Sequence, residues 1–319
     1  MMDRLTQTAI ARGQQQAENV LAFRTSLLEE RVARASTVAE ELEAFRSEEE
    51  AAPLDASLVR AAGGTLSRGV LIAEGDSWFD YPWFDVLGFL EDLHHYDVRS
   101  VAHRGDTIEG MAYSGGQLAN FSRELEKLIR QGQIPRAILL SGGGNDVAGL
   151  EFQMLLNHKR SPQPGLNQQV VSGIIDERVR FAYVTIISAV TQISEVRTGH
   201  QIPILVHGYD YPVPDGRGYL GGFSVLPGPW LEPGFRMKDY TSLDERKMWA
   251  RELITRFNAM LESLPTIVEY SHVKYVNLLG TLSDEDANYK DWWDNELHPT
   301  RRGFIAVTDK IAHELTTLP

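Results

Sequence analysis

The sequence predicts a three-layer α/β/α domain around a parallel sheet of about five strands. Apolar runs of four or five residues, bounded by turn residues, are typical of strands that are buried on both faces. Stretches with helical periodicity separate these runs, and such alternation predicts parallel strands joined by right-handed crossovers. The predicted strands lie at residues 70–73, 98–101, 137–140, 202–206 and 273–276. The predicted helices lie at about residues 84–94, 107–131, 177–198, 243–263 and 301–315.

The composition is that of a globular protein with an acidic surface. The 319 residues suffice for one large core and an appendage, and the hydrophobic share of 43% is ordinary. The formal net charge of -13 repels phosphate backbones, so we expect no nucleic-acid partner. The chain contains no cysteine, which excludes disulfides, thiolate catalysis and thiolate metal ligands.

The N-terminal sequence lacks the uninterrupted apolar core of a signal peptide. No stretch approaches the roughly 18 apolar residues of a membrane-spanning helix. We therefore expect a cytoplasmic protein without a membrane span.

Residues 1–60 differ from residues 61–319, and we predict an N-terminal helical segment followed by the α/β domain. The first segment is rich in Ala, Glu, Gln and Arg, and its apolar residues recur at helical spacing. Two interpretations stay open. The helix packs on the main domain, or it is a dimerisation arm that makes the protein a homo-oligomer. The second interpretation rests on apolar residues seven positions apart, at Leu21, Leu28, Ala35 and Leu42.

Two candidate catalytic segments follow predicted strands directly. Ser77 lies in Gly75-Asp76-Ser77 after the first strand, where a hydroxyl faces the sheet's carboxyl edge and can attack a carbonyl. Asn145 follows three glycines after the third strand, and its amide can donate to a developing oxyanion. Each segment alone is also compatible with a plain turn.

Two more segments are predicted to reach the same edge. Gly105 follows the second strand and could present its backbone N–H there, while Thr107 could cap the next helix. His298 lies on a turn before the last helix, and an imidazole suits proton transfer near neutral pH. A metal site formed by His207 and Asp210 is an alternative, although no established metal-ligand spacing is present.

Two connections are long, at residues 147–175 and 211–240, and both follow strands. Long ordered loops in compact domains are frequently binding loops or lids. The second connection carries large aromatic residues, which predict a pocket wall. These are Tyr219, Phe223, Trp230 and Phe235.

Together these segments resemble the four sequence blocks of the SGNH hydrolases, also called GDSL esterases and lipases. The blocks are Gly-Asp-Ser at 75–77, Gly105, Gly-Asn-Asp at 144–146 and His298-Pro299, within residues 68–316. The resemblance implies a flavodoxin-like sheet of order 2-1-3-4-5, with Ser77 as nucleophile and His298 as general base and then acid. It also implies an oxyanion hole made by the backbone N–H groups of Ser77 and Gly105 and the side chain of Asn145. No cofactor and no metal are expected.

The sequence departs from the family pattern three residues before His298, where the family has an aspartate. Asn295 stands there, between Asp294 and Glu296. Asparagine can accept the imidazole N–H and fix the tautomer, but it brings no charge. We therefore predict Asn295 as the third member, with Asp294 or Glu296 in its place as the alternatives.

The resemblance implies hydrolysis of carboxylic esters through an acyl-enzyme. The family also includes glycan O-deacetylases and lysophospholipases or lipases, so the substrate is a small-molecule, glycan or lipid ester. The missing carboxylate at Asn295 leaves a third class open, a non-catalytic binding protein on the same fold.

Overall fold

The structure is a computed structural model that describes residues 3–45, 67–219 and 227–319, and the side chains of these residues except 24, 27–45 and 150. Its strands are β1 (Val70–Glu74), β2 (Asp97–Ser100), β3 (Ala137–Leu140), β4 (Leu156–Asn157), β5 (Gly165–Leu166), β6 (Ile204–His207) and β7 (Val273–Val276). Its α-helices are α1 (Arg4–Phe45), α2 (Val86–Asp92), α3 (Ile108–Tyr113), α4 (Gln117–Arg130), α5 (Gln168–Ser172), α6 (Arg180–Thr198), α7 (Glu232–Met237), α8 (Leu243–Ser263) and α9 (Arg301–Thr316).

The main sheet has five strands in the order β2-β1-β3-β6-β7, and every neighbouring pair is parallel. Counting only these five strands, this is the order 2-1-3-4-5, so the predicted fold is confirmed. The central strands β3 and β6 are buried along their whole length, as their apolar sequences predict. The remaining two strands, β4 and β5, form a small antiparallel pair within the long connection after β3.

Helices flank this sheet, and the prediction of one helix over residues 107–131 is wrong. Two helices, α3 and α4, replace it, because the chain turns at Gly115 and Gly116. Both glycines have positive φ, of +60° and +75°, which a continuing right-handed helix does not allow. Helix α6 also begins later than predicted, after a π-helical segment at Gly173–Val179.

Helix α1 packs against α6 through its first half. Ala9 and Ala17 are buried there, and a Cβ added to Gly13 would lie 2.2 Å from the carbonyl oxygen of Thr185. The packing interpretation therefore holds for this half of the helix. The heptad positions 28, 35 and 42 and the predicted boundary at residue 60 lie outside the described side chains and residues. No helix in the described ranges, α1 included, is long and apolar enough to cross a membrane.

Candidate active site

The four segments that carry the sequence motifs meet at the carboxyl edge of the parallel sheet. Ser77 follows β1, Gly105 follows β2, Asn145 follows β3, and His298 precedes α9. Ser77, Gly105, Asn145 and His298 line one cavity together. This is the edge where open α/β sheets bind ligands.

Ser77 and His298 are in direct contact. The Ser77 Oγ lies 2.7 Å from the His298 Nε2, although the two residues are 221 positions apart in the sequence. The next residue, Trp78, donates its indole N–H to the carbonyl of Leu297 over 3.1 Å. This second bond holds the nucleophile segment and the histidine turn together.

Asn295 contacts the other nitrogen of His298. Its Oδ1 lies 2.9 Å from the His298 Nδ1 and also accepts the backbone N–H groups of Leu297 and His298, each over 3.0 Å. Because two backbone donors fix Oδ1 as the acceptor, the Nδ1 of His298 must carry its proton and donate it. The Nε2 then has a free lone pair and accepts the hydroxyl proton of Ser77.

The two alternative carboxylates take other positions. Asp294 Oδ2 accepts from the Tyr81 hydroxyl at 3.3 Å and from the Asn295 Nδ2 at 3.2 Å. Asp294 therefore bonds to the nitrogen of the Asn295 amide, whereas His298 bonds to its oxygen. The Glu296 carboxylate turns away from His298 and accepts four backbone N–H groups at 2.7 to 3.0 Å. The four donors belong to Gly216, Trp230, Leu231 and Glu232. Glu296 therefore fastens the long loop after β6 to the histidine turn.

Aromatic rings enclose the imidazole of His298. The Tyr81 ring stacks on it with a centroid distance of 4.4 Å, and the Trp230 ring meets it edge-on at 5.5 Å. His298 is only 6% exposed, and this burial lowers its pKa from 6.5 to about 3. The imidazole is therefore neutral near pH 7, the state in which it can accept a proton. Tyr81 could not be predicted as a site residue, because nothing local in the sequence relates it to His298.

Gly105 and Asn145, two of the three predicted oxyanion donors, line the same cavity as Ser77. The Asn145 Nδ2 donates to the backbone carbonyl of Asp106 over 2.9 Å, and its second hydrogen stays available. Gly105 is exposed and has φ of +87°, a conformation that favours glycine. The neighbouring Asp146 carboxylate accepts the backbone N–H of Ile108 over 2.8 Å, and burial raises its pKa to about 6. The Asn145-Asp146 pair thus holds the Gly105 loop at the site.

A buried polar contact joins the nucleophile segment to the Asn145 segment. The Asp76 carboxylate accepts from the Ser141 hydroxyl at 2.9 Å and from the Tyr209 hydroxyl. The same Tyr209 oxygen accepts the backbone N–H of Gly144 at 3.3 Å. These groups were not predicted from the sequence, and they fix Ser77 and Asn145 relative to each other.

Ser77 and His298 line two cavities. The inner one has a volume of about 50 Å³ and apolar walls that include Phe152, Leu253 and Ile254. The outer one has a volume of about 280 Å³. Its walls are mostly apolar and aromatic and include one charged side chain, with Tyr81, Pro82, Arg104, Gly105, Tyr219 and Trp230 among the lining residues.

The aromatic residues of the long loop divide between pocket and core. Tyr219 and Trp230 line the outer cavity, as the prediction of a pocket wall requires. Phe235 is fully buried and packs against Phe152 with a ring distance of 4.8 Å, so its predicted place in the wall is wrong. Helix α7 carries Phe235 into the core, where an apolar ring is most stable. Phe223 lies outside the described residues.

His207 and Asp210 do not form the alternative metal site. The His207 Nδ1 bonds to the carbonyl of Gly208, and its ring stacks on Trp78. The Asp210 carboxylate accepts backbone N–H groups, among them those of Gly280 and Leu282. Within residues 3–45, 67–219 and 227–319, no group of three or more histidine, aspartate or glutamate side chains could hold a metal ion.

The strand order and the convergence of the four segments are those that the resemblance predicted. The main sheet has the flavodoxin-like strand order that the resemblance implies.

Comparisons with known proteins gave structural matches only. No protein-family model and no curated protein matches the sequence. A candidate GDSL-like lipase from Parabacteroides merdae has 14% identity and a TM-score of 0.37, over 79% of this chain and 97% of that one. A candidate SGNH hydrolase from Slackia heliotrinireducens has 11% identity and a TM-score of 0.40, over 77% and 97%. A catalytic mutant of an acetylxylan esterase from Geobacillus stearothermophilus has 14% identity and a TM-score of 0.37, over 78% and 94%. At these values the likeness says nothing about activity or substrate.

Proposed function

We propose that the protein hydrolyses carboxylic esters through an acyl-enzyme on Ser77. The observation that carries the proposal is the unbroken chain from Ser77 Oγ to His298 Nε2 and from His298 Nδ1 to Asn295 Oδ1. A nucleophile, a base and an orienting group that are hydrogen-bonded in this order are the parts of a serine hydrolase site.

In the first half-reaction, Ser77 Oγ attacks the ester carbonyl carbon while His298 Nε2 takes the hydroxyl proton. The carbonyl oxygen becomes an oxyanion, which the second hydrogen of the Asn145 amide and the backbone N–H of Gly105 stabilise. The C–O bond to the alcohol then breaks, and His298 delivers its proton to the departing oxygen. The products are a free alcohol and an acyl group bound to Ser77.

In the second half-reaction, a water molecule attacks the acyl carbon and gives a proton to His298. The bond to Ser77 Oγ breaks, and the proton on His298 returns to that oxygen. A carboxylic acid leaves and the site is restored. Tyr81 and Trp230, which cover the imidazole, exclude competing solvent from the proton path.

The inner cavity supports a short acyl group. Its walls are apolar and its volume of about 50 Å³ has room for only a few groups of the size of water. A long fatty-acyl chain does not fit there without rearrangement. Esters of acetate and similar small acids are therefore the proposed acyl donors.

Two assays test the mechanism, labelling with a fluorophosphonate probe and hydrolysis of p-nitrophenyl acetate. The wild-type protein should be labelled on Ser77 and should cleave the ester, and Ser77→Ala should lose both properties. Ser271→Ala, which changes an exposed serine, is the matched control and should retain both. A folded wild-type protein that is not labelled, or a Ser77→Ala variant with unchanged turnover, would contradict the proposal and favour a binding protein.

A further inference from the structure

Trp83 is an exposed indole in a backbone conformation that large side chains rarely adopt. It is 76% exposed, and its φ of +71° lies in the left-handed region. The residue follows Tyr81 and Pro82, which both line the outer cavity. Unfavourable backbone conformations that persist in a fold are concentrated at functional sites.

The indole continues an aromatic row that begins at the catalytic histidine. Trp83 and Tyr219 have nearly parallel rings, with an angle of 10° and a centroid distance of 6.2 Å. Tyr219 meets Tyr81 edge-on at 6.0 Å, and Tyr81 stacks on His298. We call the rings of Trp83 and Tyr219 the aromatic platform. Because Tyr219 lines the outer cavity, the platform extends that cavity onto the surface.

A charged side chain lines the same cavity. The Arg104 side chain, which lines it, is 59% exposed, and its Nε lies 3.7 Å from Asp80 Oδ2. Guanidinium and carboxylate groups offer donors and acceptors to hydroxyl groups. An alkyl chain in this cavity has no group that could accept a hydrogen bond from the Arg104 guanidinium, whereas a hydroxyl group does. A sugar ring, with an apolar C–H face and hydroxyl groups around its edge, suits both features.

The two cavities differ in the part of the ester that they can accept. His298 protonates the alcohol oxygen, and the alcohol departs first while the acyl group stays on Ser77. The outer cavity, with its volume of about 280 Å³, suits the larger alcohol group that leaves first, and the inner cavity of about 50 Å³ suits a small acyl group.

We propose that the aromatic platform of Trp83 and Tyr219 binds a pyranose ring in the alcohol part of the ester, so that Trp83 determines specificity for acylated carbohydrates. The proposal rests on the proposed esterase function of Ser77. It assigns the platform to the leaving group and not to the acyl group.

The test compares three esters with the same acyl group: an acetylated methyl pyranoside, ethyl acetate and octyl acetate. The wild-type protein should show the highest kcat/KM for the sugar ester. Trp83→Ala should lower the ratio of kcat/KM for the sugar ester to that for ethyl acetate about tenfold, mainly through KM. Trp83→Phe should restore most of the ratio. Val268→Ala, at a position 89% exposed before β7, is the matched control and should leave the ratio unchanged.

A binding measurement makes the test independent of turnover. In the Ser77→Ala background, calorimetric titration with the acetylated pyranoside should show weaker binding when Trp83 is also changed to Ala. Equal loss for sugar and octyl esters, or an unchanged ratio, would overturn the platform proposal while esterase activity persists. A wild-type protein that cleaves none of the esters and resembles Ser77→Ala would instead overturn the esterase function itself.

Discussion

Asn295 Oδ1 accepts the hydrogen bond of His298 Nδ1 over 2.9 Å, in the position that a carboxylate occupies in a Ser-His-Asp triad. The amide fixes the tautomer, because two backbone N–H groups hold its oxygen in place. It adds no negative charge beside the imidazolium that forms during the reaction. The Asp294 carboxylate bonds to the nitrogen of the same amide and not to the imidazole.

The first prediction concerns the pH dependence of the wild-type protein. Above the pKa of His298 the imidazole is neutral and can accept the serine proton, and below it the imidazole is charged and inactive. Burial lowers this pKa to about 3, so the acidic limb of kcat/KM should lie well below pH 6.5. A profile of kcat/KM from pH 3.5 to 8, with folding followed by circular dichroism, checks this. A limb centred at pH 6.5 or above contradicts it.

The second prediction concerns an exchange of the two side chains. In the double variant Asp294→Asn/Asn295→Asp the carboxylate stands on His298 Nδ1, where it stabilises the imidazolium and raises its pKa. The acidic limb of kcat/KM should move up by about one pH unit or more, and kcat should rise. Asn295→Asp alone places two carboxylates where Asn295 Nδ2 and Asp294 Oδ2 now lie 3.2 Å apart. Because the two negative charges repel each other, this variant should be less stable than the wild-type protein.

Asp294→Asn alone is the control for the exchange. It removes the distant carboxylate and leaves the amide on His298, so the acidic limb should move little. If the double variant and this control have the same pH profile, the charge at position 295 does not determine the pKa of His298.

The third prediction concerns the oxyanion donor. Asn145→Ala should lower kcat by about 10²- to 10³-fold with a small change in KM, because the donor acts on charge that develops in the transition state. Asn145→Asp should be as slow, since an ionised carboxylate cannot donate. Asn120→Ala, at an exposed position of α4, should keep full activity. Steady-state kinetics on p-nitrophenyl acetate separate these outcomes, and a loss confined to KM would argue against an oxyanion role.

The fourth prediction concerns Glu296, which fastens the loop that carries Trp230. Glu296→Gln exchanges one acceptor oxygen for an amide that faces backbone N–H donors, and the unmade bonds should cost about 2 kcal/mol of stability. KM should rise more than kcat falls, because the loop wall shifts while Ser77 and His298 keep their contact. Denaturant unfolding and steady-state kinetics measure both effects. Glu269→Gln, at an exposed site, is the control, and equal stability of the two variants would contradict the anchoring role.

The sequence allowed the strands and the catalytic segments to be predicted, for physical reasons that are local. A parallel strand that is buried on both faces is mostly apolar, so β1, β3 and β6 could be located within one or two residues. Ser77, Asn145 and His298 could be found because each stands beside a turn at the end of a predictable element. The break between α3 and α4 also had a local signal, the pair Gly115-Gly116.

The supporting contacts could not be predicted, since they join residues far apart in the chain. Tyr81 stacks on a histidine 217 positions later, and Tyr209 bonds to Asp76 across 133 positions. The geometry of a turn that forms only on folding decides which side chain faces His298, that of Asp294, Asn295 or Glu296. Glu296, one of the two carboxylate alternatives, accepts four backbone N–H groups from a different part of the chain.

The last prediction concerns Glu74, a buried carboxyl at the end of β1. Its Oε1 accepts the backbone N–H of Gly75 at 3.1 Å and the Gln117 side chain at 3.2 Å, while its Oε2 has no hydrogen-bond partner in the described part of the chain. Burial raises its pKa from 4.5 to about 8. The folded protein therefore keeps a proton on Glu74 that the unfolded chain releases near pH 4.5. The stability that this retained proton contributes to the folded protein is fully present below pH 4.5 and is lost as the pH rises towards 8.

Glu74→Gln mimics the protonated carboxyl and does not titrate. The variant and the wild-type protein should be about equally stable at pH 4.5. From there to pH 8, the free energy of unfolding of the variant should rise relative to that of the wild-type protein by at most about 1.4 kcal/mol per pH unit. Above that pH the difference should level off, since Glu74 is then ionised in both folded and unfolded protein. Thermal or urea unfolding of both proteins from pH 4.5 to 9 measures it, with Glu269→Gln as the exposed control. Parallel stability curves for the wild-type protein and Glu74→Gln would show that Glu74 is ionised in the folded state at neutral pH.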